Sequence, residues 1–286
     1  GQPLVAGQLL KNPEFAETLR EIRQSGLESM YRGPIAADIV TAVQSAEVNP
    51  GHLARTDLSD YRVIEREPVC TLYRDHRVCG MGLPSSGGIT VAQILGILET
   101  FNLQMLGPEH PLTWHLFSEA GKLAYADRDM YLADSDFVSV PVDGLISNDY
   151  LASRSAMIDL NRALPTPVDA GTPDGFAVWF PDTRDELPGT SHVSIRDQYG
   201  NAVSLTTTIE SGFGSGVWVR GFLLNNELTD FSFVPSKDGR LVANRVQPTK
   251  RPRSSMSPTI IYGPDGDVKY ILGSPGGSRI ISYVAQ

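Results

Sequence analysis

Gly189-Thr190-Ser191-His192-Val193-Ser194-Ile195-Arg196, the turn Asp197-Gln198-Tyr199-Gly200-Asn201, and Ala202-Val203-Ser204-Leu205-Thr206-Thr207-Thr208-Ile209 form the stretch on which the fold class turns. Two runs rich in β-branched residues, 192–195 and 202–209, flank a polar turn containing Gly200, which is the pattern of a hairpin. More extended segments follow. Residues 221–225 read as a short strand, and 259–262 pair with 268–273 across Gly263-Pro264-Asp265-Gly266. Upstream the periodicity is different. Asn12 and Pro13 supply an N-cap and a first helical residue, Phe15, Leu19 and Ile22 share a face, and Gly26 stands at the C-terminal stop. A second helix follows Gly33-Pro34 with Ile35, Ile39 and Val43 four apart. Residues 69–73 and 77–81 form a hairpin around Arg74-Asp75-His76, after which helices are expected over 90–101 and 112–128. The interval 160–188, rich in Pro, Asp and Thr, reads as a surface connection dividing the chain. Helices first and strands later favour a layered α+β design over an alternating parallel sheet.

Composition narrows the function classes. The chain has 286 residues, 41% hydrophobic and 20% charged, which suits one large globular domain or one domain with a small appendage. Its net charge of -9 repels nucleic acid and anionic membranes, and the one basic cluster is Lys250, Arg251 and Arg253. Two cysteines exclude a disulfide scaffold, and no Cys/His cluster has the spacing of a structural zinc site, so no metal is expected. The uncharged stretch 78–98 contains Pro84, Ser85, Ser86, Gly87, Gly88 and Gln93, and therefore reads as strand, loop and helix rather than as a membrane span. The sequence opens at Gly1 without a basic and apolar leader pattern, as expected if a leader has been removed or the chain is a fragment.

Familiar catalytic signatures fail one by one. No serine lies in Gly-x-Ser-x-Gly, and Gly212, Gly214 and Gly216 lack the spacing and the following Lys-Ser/Thr of a phosphate loop. His110 and His115 are five apart, off the spacing that places two zinc ligands on one helical face. Three other stretches concentrate small residues before apolar segments: 84–88 (Pro-Ser-Ser-Gly-Gly), 251–258 (Arg-Pro-Arg-Ser-Ser-Met-Ser-Pro) and 273–279 (Gly-Ser-Pro-Gly-Gly-Ser-Arg). Small residues let backbone amides approach a ligand, and a helix starting after Gly276-Gly277 would aim N–H groups at an anion. Each stretch alone is equally a turn or a helix cap.

Taken together and in order, these stretches resemble the γ-glutamyltranspeptidase family of N-terminal nucleophile hydrolases over almost the whole chain. The resemblance is carried by Asp57-Leu58 with Tyr61, the 84–88 motif, Glu119-Ala120, 124–128 (Ala-Tyr-Ala-Asp-Arg) and Tyr131-Leu132. It continues in Thr190-Ser191-His192, Asp197 with 200–204, 213–216 (Phe-Gly-Ser-Gly), 224–227 (Leu-Asn-Asn-Glu) and Asp230-Phe231. It implies a four-layer αββα sandwich, incomplete at both ends, made as one precursor. Residues 1–189 would then be the C-terminal part of the large-subunit region and 190–286 the N-terminal part of the small subunit, together one domain. Self-cleavage would fall between Gly189 and Thr190.

The resemblance also implies the chemistry. Thr190 would be the nucleophile, and its freed α-amine, with a reference pKa of roughly 7.7 to 8.0, would serve as its base. Gly276 and Gly277 would supply the oxyanion hole, and Thr208 would orient Thr190. Glu210, Glu227 and Asp230 would hold the substrate α-ammonium, with Ser254 and Ser255 on its α-carboxylate. Glu210 stands where many members carry asparagine and some bacterial members glutamate. The substrate implied is a γ-glutamyl compound such as glutathione, with water or an amino acid as acceptor and no cofactor. Alternatives are a family acylase acting on a glutaryl β-lactam or poly-γ-glutamate, and a noncatalytic, unprocessed homologue. Family portions before and after this chain have no counterpart in it, among them an arginine that pairs with the α-carboxylate. The isolated chain is therefore expected to stay uncut and to be a poor catalyst. The location implied is periplasmic or secreted. There Cys70 and Cys79, which face each other if Arg74 and Asp75 form a two-residue loop, are either bridged or remain two buried thiols.

Overall fold

Asn12 caps the first helix, Pro13–Ser25, by accepting a hydrogen bond at its side-chain oxygen from the Phe15 N–H at 3.0 Å, and Gly26 closes it at φ 67°. The computed structural model describes residues 3–182 and 189–286. These form two units, one from residues 1–65 and 213–226, the other from 66–212 and 227–286. In the first unit, Ile35 and Ile39 of the helix Pro34–Gln44 are buried with Val219 of the strand Trp218–Val219, and Ile22, Met30 and Phe222 pack against them. Phe15 and Leu19 remain 38% and 51% exposed, and the buried residue of the first helix is Thr18, while Ile22 is partly buried against the cluster.

The second unit is mixed helix and sheet. Its central sheet has four antiparallel strands in the order Val69–Tyr73, His76–Gly80, Thr259–Tyr262 and Val268–Leu272. Both outer pairs are the hairpins expected from sequence. Their junction, Val78 opposite Ile261 and Cys79 opposite Ile260, joins the two halves of the chain. The helix Gly87–Leu98 packs on this sheet and also meets the helices Pro111–Tyr131, Asn148–Ser155 and Ile280–Ala285. Apolar residues on nearly every face suit a helix enclosed in this way. It begins three residues before the expected start, and the expected helix 112–128 runs from Pro111 to Tyr131. Among the described residues no helix is long and apolar enough to cross a membrane.

Arg74 and Asp75 form the two-residue loop at φ 47° and 65°, which places Cys70 opposite Cys79 with Cα atoms 4.1 Å apart. Of the two alternatives, the structure has the disulfide. The third hairpin, Thr190–Arg196 with Ala202–Thr208, lies against the end of the sheet. Ser204 Oγ donates to the Leu272 carbonyl at 2.9 Å and accepts from the Thr259 N–H at 3.0 Å. Its other face carries Val193, Ile195, Val203 and Leu205, each 45–52% exposed.

The interval 160–188 is not wholly the surface connection expected, although residues 183–188 lie outside the described residues. It runs within the second unit rather than between units. Phe180 bridges to Val242, and the Asp182 N–H donates to the Asp129 carbonyl at 2.8 Å. The Asp182 carboxylate is buried because Asn244 Nδ2 and Arg253 reach it at 2.9 and 3.4 Å, and paired charges are buried at tolerable cost.

Deep under the helices, Asp127 is fully buried and accepts from Arg154 Nη2, Tyr150 Oη, Gln93 Nε2 and the Gly171 N–H at 2.7 to 3.2 Å. Asp127→Ala strands the Arg154 guanidinium, itself 4% exposed, and should cost about 3–5 kcal/mol. Asp127→Asn, which keeps an acceptor, should cost less. Urea unfolding midpoints at unchanged m test the pair, and equal midpoints for wild type and Asp127→Ala would contradict it.

Candidate active site

Two of the three stretches of small residues, 251–258 and 273–279, contribute to one cleft, and the third, 84–88, packs behind its wall. Ser85 and Ser254 form a parallel bridge, and both the Ser86 N–H and Ser86 Oγ donate to the Ser254 carbonyl at 2.7 Å. Gly87 must be glycine for this contact. A Cβ there would sit 2.0 Å from Ser257 Oγ and 2.6 Å from the Met256 carbonyl oxygen. Gly276 at φ 141° and Gly277 at φ 60° turn the third stretch into the short helical segment Gly277–Arg279, a backbone path that side chains disfavour.

Thr190 opens the third hairpin and lies directly opposite Thr208. The Thr208 hydroxyl is turned to the Gly189 carbonyl, donating at 3.4 Å, and accepts from the Glu210 N–H at 2.8 Å. Glu210 follows at φ 74° and carries its backbone carbonyl back against Gly189, where an added Cβ would lie 1.8 Å from that oxygen. The residue before Thr190 is thus held to glycine by a close approach of backbone.

The cleft is lined by Thr190, Thr208, Glu210, Asp230, Ser254, Ser255, Met256, Gly277 and Ile280. Seven of these are site residues expected from sequence. Gly276, adjoining Gly277, and Glu227, half-buried at the start of the turn Glu227–Asp230, do not line it. Met256 and Ile280 are additions, and no local pattern marks them, because an apolar residue beside a serine or at a helix start is ordinary in sequence. Two acidic side chains, Glu210 and Asp230, are 4% and 8% exposed on one part of the wall. Elsewhere Ser255 is backed by Arg128, whose Nη2 donates to Ser255 Oγ at 2.5 Å. Acidic groups and a serine hydroxyl fixed by a guanidinium therefore line one space. The arrangement suits a ligand bearing both ammonium and carboxylate.

The family model described as Gamma-glutamyltranspeptidase matches residues 1–286. The chain belongs to the γ-glutamyltranspeptidase family. It is 41% identical to the glutathione hydrolase proenzyme of Escherichia coli K12 over 100% of this chain and 48% of that protein. It is 39% identical to that of Bacillus subtilis subsp. natto over 100% of this chain and 49% of that protein. A cephalosporin acylase from Bacillus halodurans superposes with TM-score 0.82 at 28% identity, covering 98% of this chain and 47% of the acylase chain. Helicobacter pylori γ-glutamyltranspeptidase superposes with TM-score 0.53 at 36% identity over 56% of this chain and 45% of its own. This γ-glutamyltranspeptidase-family chain spans about half the length of the curated relatives it matches.

His192, two residues after Thr190, ties the hairpin to the glycine segment. Its ring bonds Thr206 Oγ1 at 2.8 Å and Ser194 Oγ at 3.0 Å and lies against Gly273, where a Cβ would come within 2.2 Å of the imidazole. Burial lowers its pKa from the ordinary 6.5, so the folded protein holds the ring neutral. The unfolded chain takes up that proton first as pH falls. The contribution of His192 is therefore complete above pH 6.5 and is lost as pH drops towards its depressed folded pKa. His192→Gln should flatten that part of the stability profile in urea titrations at a series of pH values. A profile unchanged by the substitution would refute this.

Proposed function

We propose that this chain carries the nucleophile and the amino-acid subsite of an enzyme that cleaves γ-glutamyl amides such as glutathione and transfers the γ-glutamyl group to water or to an amino acid. The observation that carries the reading is the cleft itself. Thr190 lies beside buried Glu210 and Asp230 and beside the Ser254-Ser255 pair, so a reactive hydroxyl adjoins groups complementary to both charges of an α-amino acid head.

Maturation begins when Thr190 Oγ attacks the Gly189 carbonyl carbon, the peptide nitrogen leaves as the Thr190 α-amine, and water opens the resulting ester. The freed amine then takes the proton of the Thr190 hydroxyl as it attacks the substrate γ-carbonyl. The amide nitrogen leaves with that proton, and a γ-glutamyl-threonine ester remains for water or an amine to open. The Gly277 amide on the cleft wall, with that of the adjoining Gly276, stabilises the oxyanion, where one donor is typically worth ~10² to 10³ in rate. Thr208 turns from the Gly189 carbonyl to the Thr190 hydroxyl once the bond is cut. Glu227 adds negative charge near the ammonium subsite.

In this reading residues 1–189 belong to the large subunit and 190–286 to the small subunit of one precursor, within a four-layer αββα sandwich. The outward apolar face of Val193, Ile195, Val203 and Leu205 supports a further layer over the hairpin. A periplasmic or secreted location is supported by the Cys70–Cys79 disulfide, since such bonds persist in oxidising compartments. The likeness to a cephalosporin acylase motivates a second reading, an acylase of the same family, for which a glutaryl amide is the substrate to test. The buried acidic pair favours the glutamyl group, because a glutaryl group has no ammonium to place there.

Two experiments test this. When the full-length protein matures, amino-terminal sequencing of the smaller product should begin Thr190-Ser191-His192, and Thr190→Ala in that protein should stay uncut and inactive. Cleavage at another bond would displace Thr190 from the nucleophile role. Asp230→Ala should reduce kcat/KM on a γ-glutamyl anilide far more than on a glutaryl anilide, by the roughly 1.5 to 3 kcal/mol of a charge-assisted hydrogen bond. Equal losses would make Asp230 a structural residue.

A further inference from the structure

Arg128 belongs to no expected site role, yet it touches the cleft from behind. It sits in the last turn of the helix Pro111–Tyr131 and is 1% exposed. Its guanidinium makes two hydrogen bonds toward the serine pair, Nη2 to Ser255 Oγ at 2.5 Å and Nε to Ser86 Oγ at 2.9 Å. Ser86 Oγ in turn donates to the Ser254 carbonyl at 2.7 Å. The Ser254-Ser255 peptide is thereby held at both ends, directly at the Ser255 hydroxyl and through Ser86 at the Ser254 carbonyl.

The direction of these bonds matters as much as their number. A guanidinium can only donate, so a hydroxyl that accepts from it keeps its own proton for another acceptor. Ser255 lines the cleft, and the acceptor on that side is whatever ligand occupies it. The charge of Arg128 is itself balanced. Its Nη1 meets Asp129 Oδ1 at 3.0 Å, and Arg253 pairs with Asp129 and Asp182 at 3.5 and 3.4 Å. Arg128 and Arg253 thus share pairing with Asp129, itself a quarter exposed, and with buried Asp182, and what Arg128 delivers to the cleft is hydrogen-bond polarity and fixed geometry.

We propose that Arg128 is a positioning residue for ligand carboxylate recognition, holding the Ser254-Ser255 pair in place and committing the Ser255 hydroxyl to donate to the α-carboxylate of a bound γ-glutamyl group. The inference rests on the γ-glutamyl reading above and adds to it the residue that makes Ser255 a donor. The planar fork of arginine is what reaches Ser86 and Ser255 together, and a lysine at 128 would present a single point of donation.

Isothermal titration of the intact protein with L-glutamate and with 4-aminobutyrate, which is glutamate without its α-carboxylate, tests the proposal. Wild type should bind L-glutamate more tightly. Arg128→Gln should weaken L-glutamate about 10- to 100-fold and leave 4-aminobutyrate within about twofold, the pattern of a lost charge-assisted contact at one group. Arg128→Gln combined with Ser255→Ala should lose clearly less than the sum of the two single losses, since both act in part through the Ser255 hydroxyl. Arg128→Lys, which keeps a cation beside Asp129, covers the case in which Arg128→Gln does not fold. It should melt near wild type and still lose selectivity for L-glutamate. Equal losses on both ligands, additive losses in the double variant, unchanged selectivity in Arg128→Lys, or no wild-type preference for L-glutamate would each overturn the proposal. Cleavage of a γ-glutamyl anilide is scored separately. Carboxylate-selective binding without cleavage fails the enzymatic reading alone, and cleavage with equal losses fails the role of Arg128 alone.

Discussion

A glycine packed against a serine hydroxyl organises this molecule. Where Gly87 meets Ser257 and the Met256 carbonyl, the start of the most enclosed helix lies directly on the segment that carries Ser254 and Ser255. The Ser85–Ser254 bridge and the two bonds from Ser86 to the Ser254 carbonyl run along the same seam. Any side chain at 87 would push that segment away, and with it the wall of the cleft. The sheet makes the same junction at longer range, through the pairing of His76–Gly80 with Thr259–Tyr262. Chain halves separated by about 170 residues are in this way locked by backbone contact, which tolerates less adjustment than side-chain packing.

The hairpin that carries Thr190 depends on a second constraint, the polarity of its inner face. His192, Ser204 and Thr206 face the sheet and the glycine segment, and their bonds to Ser194, Leu272 and Thr259 fix the strand ends by directed contacts rather than by apolar area. Directed bonds specify position more narrowly than a greasy contact does, because each has a preferred length and angle. A nucleophile at a strand terminus needs that precision. The backbone of Gly189 and Glu210 meets at the same place, so the end of the hairpin is crowded where cleavage is proposed.

Charge is distributed over the cleft in a way that no local segment foreshadows. Glu210 and Asp230 come from a strand end and a short turn, while Ser255 is armed from below by a guanidinium on a distant helix. Burial makes these groups effective, since a carboxylate or a hydroxyl held away from water meets a ligand without first shedding solvent. It also requires the compensating network of Arg128, Arg253, Asp129 and Asp182 beneath the cleft, because a lone buried charge would be far more costly.

The sequence alone determined the elements that depend on local chemistry. The Asn12 cap, the Arg74-Asp75 loop and the hairpins at 190–208 and 259–272 follow from capping atoms, turn residues and β-branched runs a few positions apart. Thr190, Thr208, Glu210, Asp230, Ser254, Ser255 and Gly277, which line the cleft, were marked by ordered short motifs that resemble one family. Tertiary structure alone decided which strands of different hairpins join, that Asp182 is tied into the core, that Met256 and Ile280 complete the cleft while Glu227 and Gly276 stand off its wall, and that Arg128 stands behind Ser255. The physical reason is the same in each case. These facts rest on contacts between residues tens to hundreds of positions apart, and a buried arginine reads in sequence like any other until the fold supplies the partners that neutralise it.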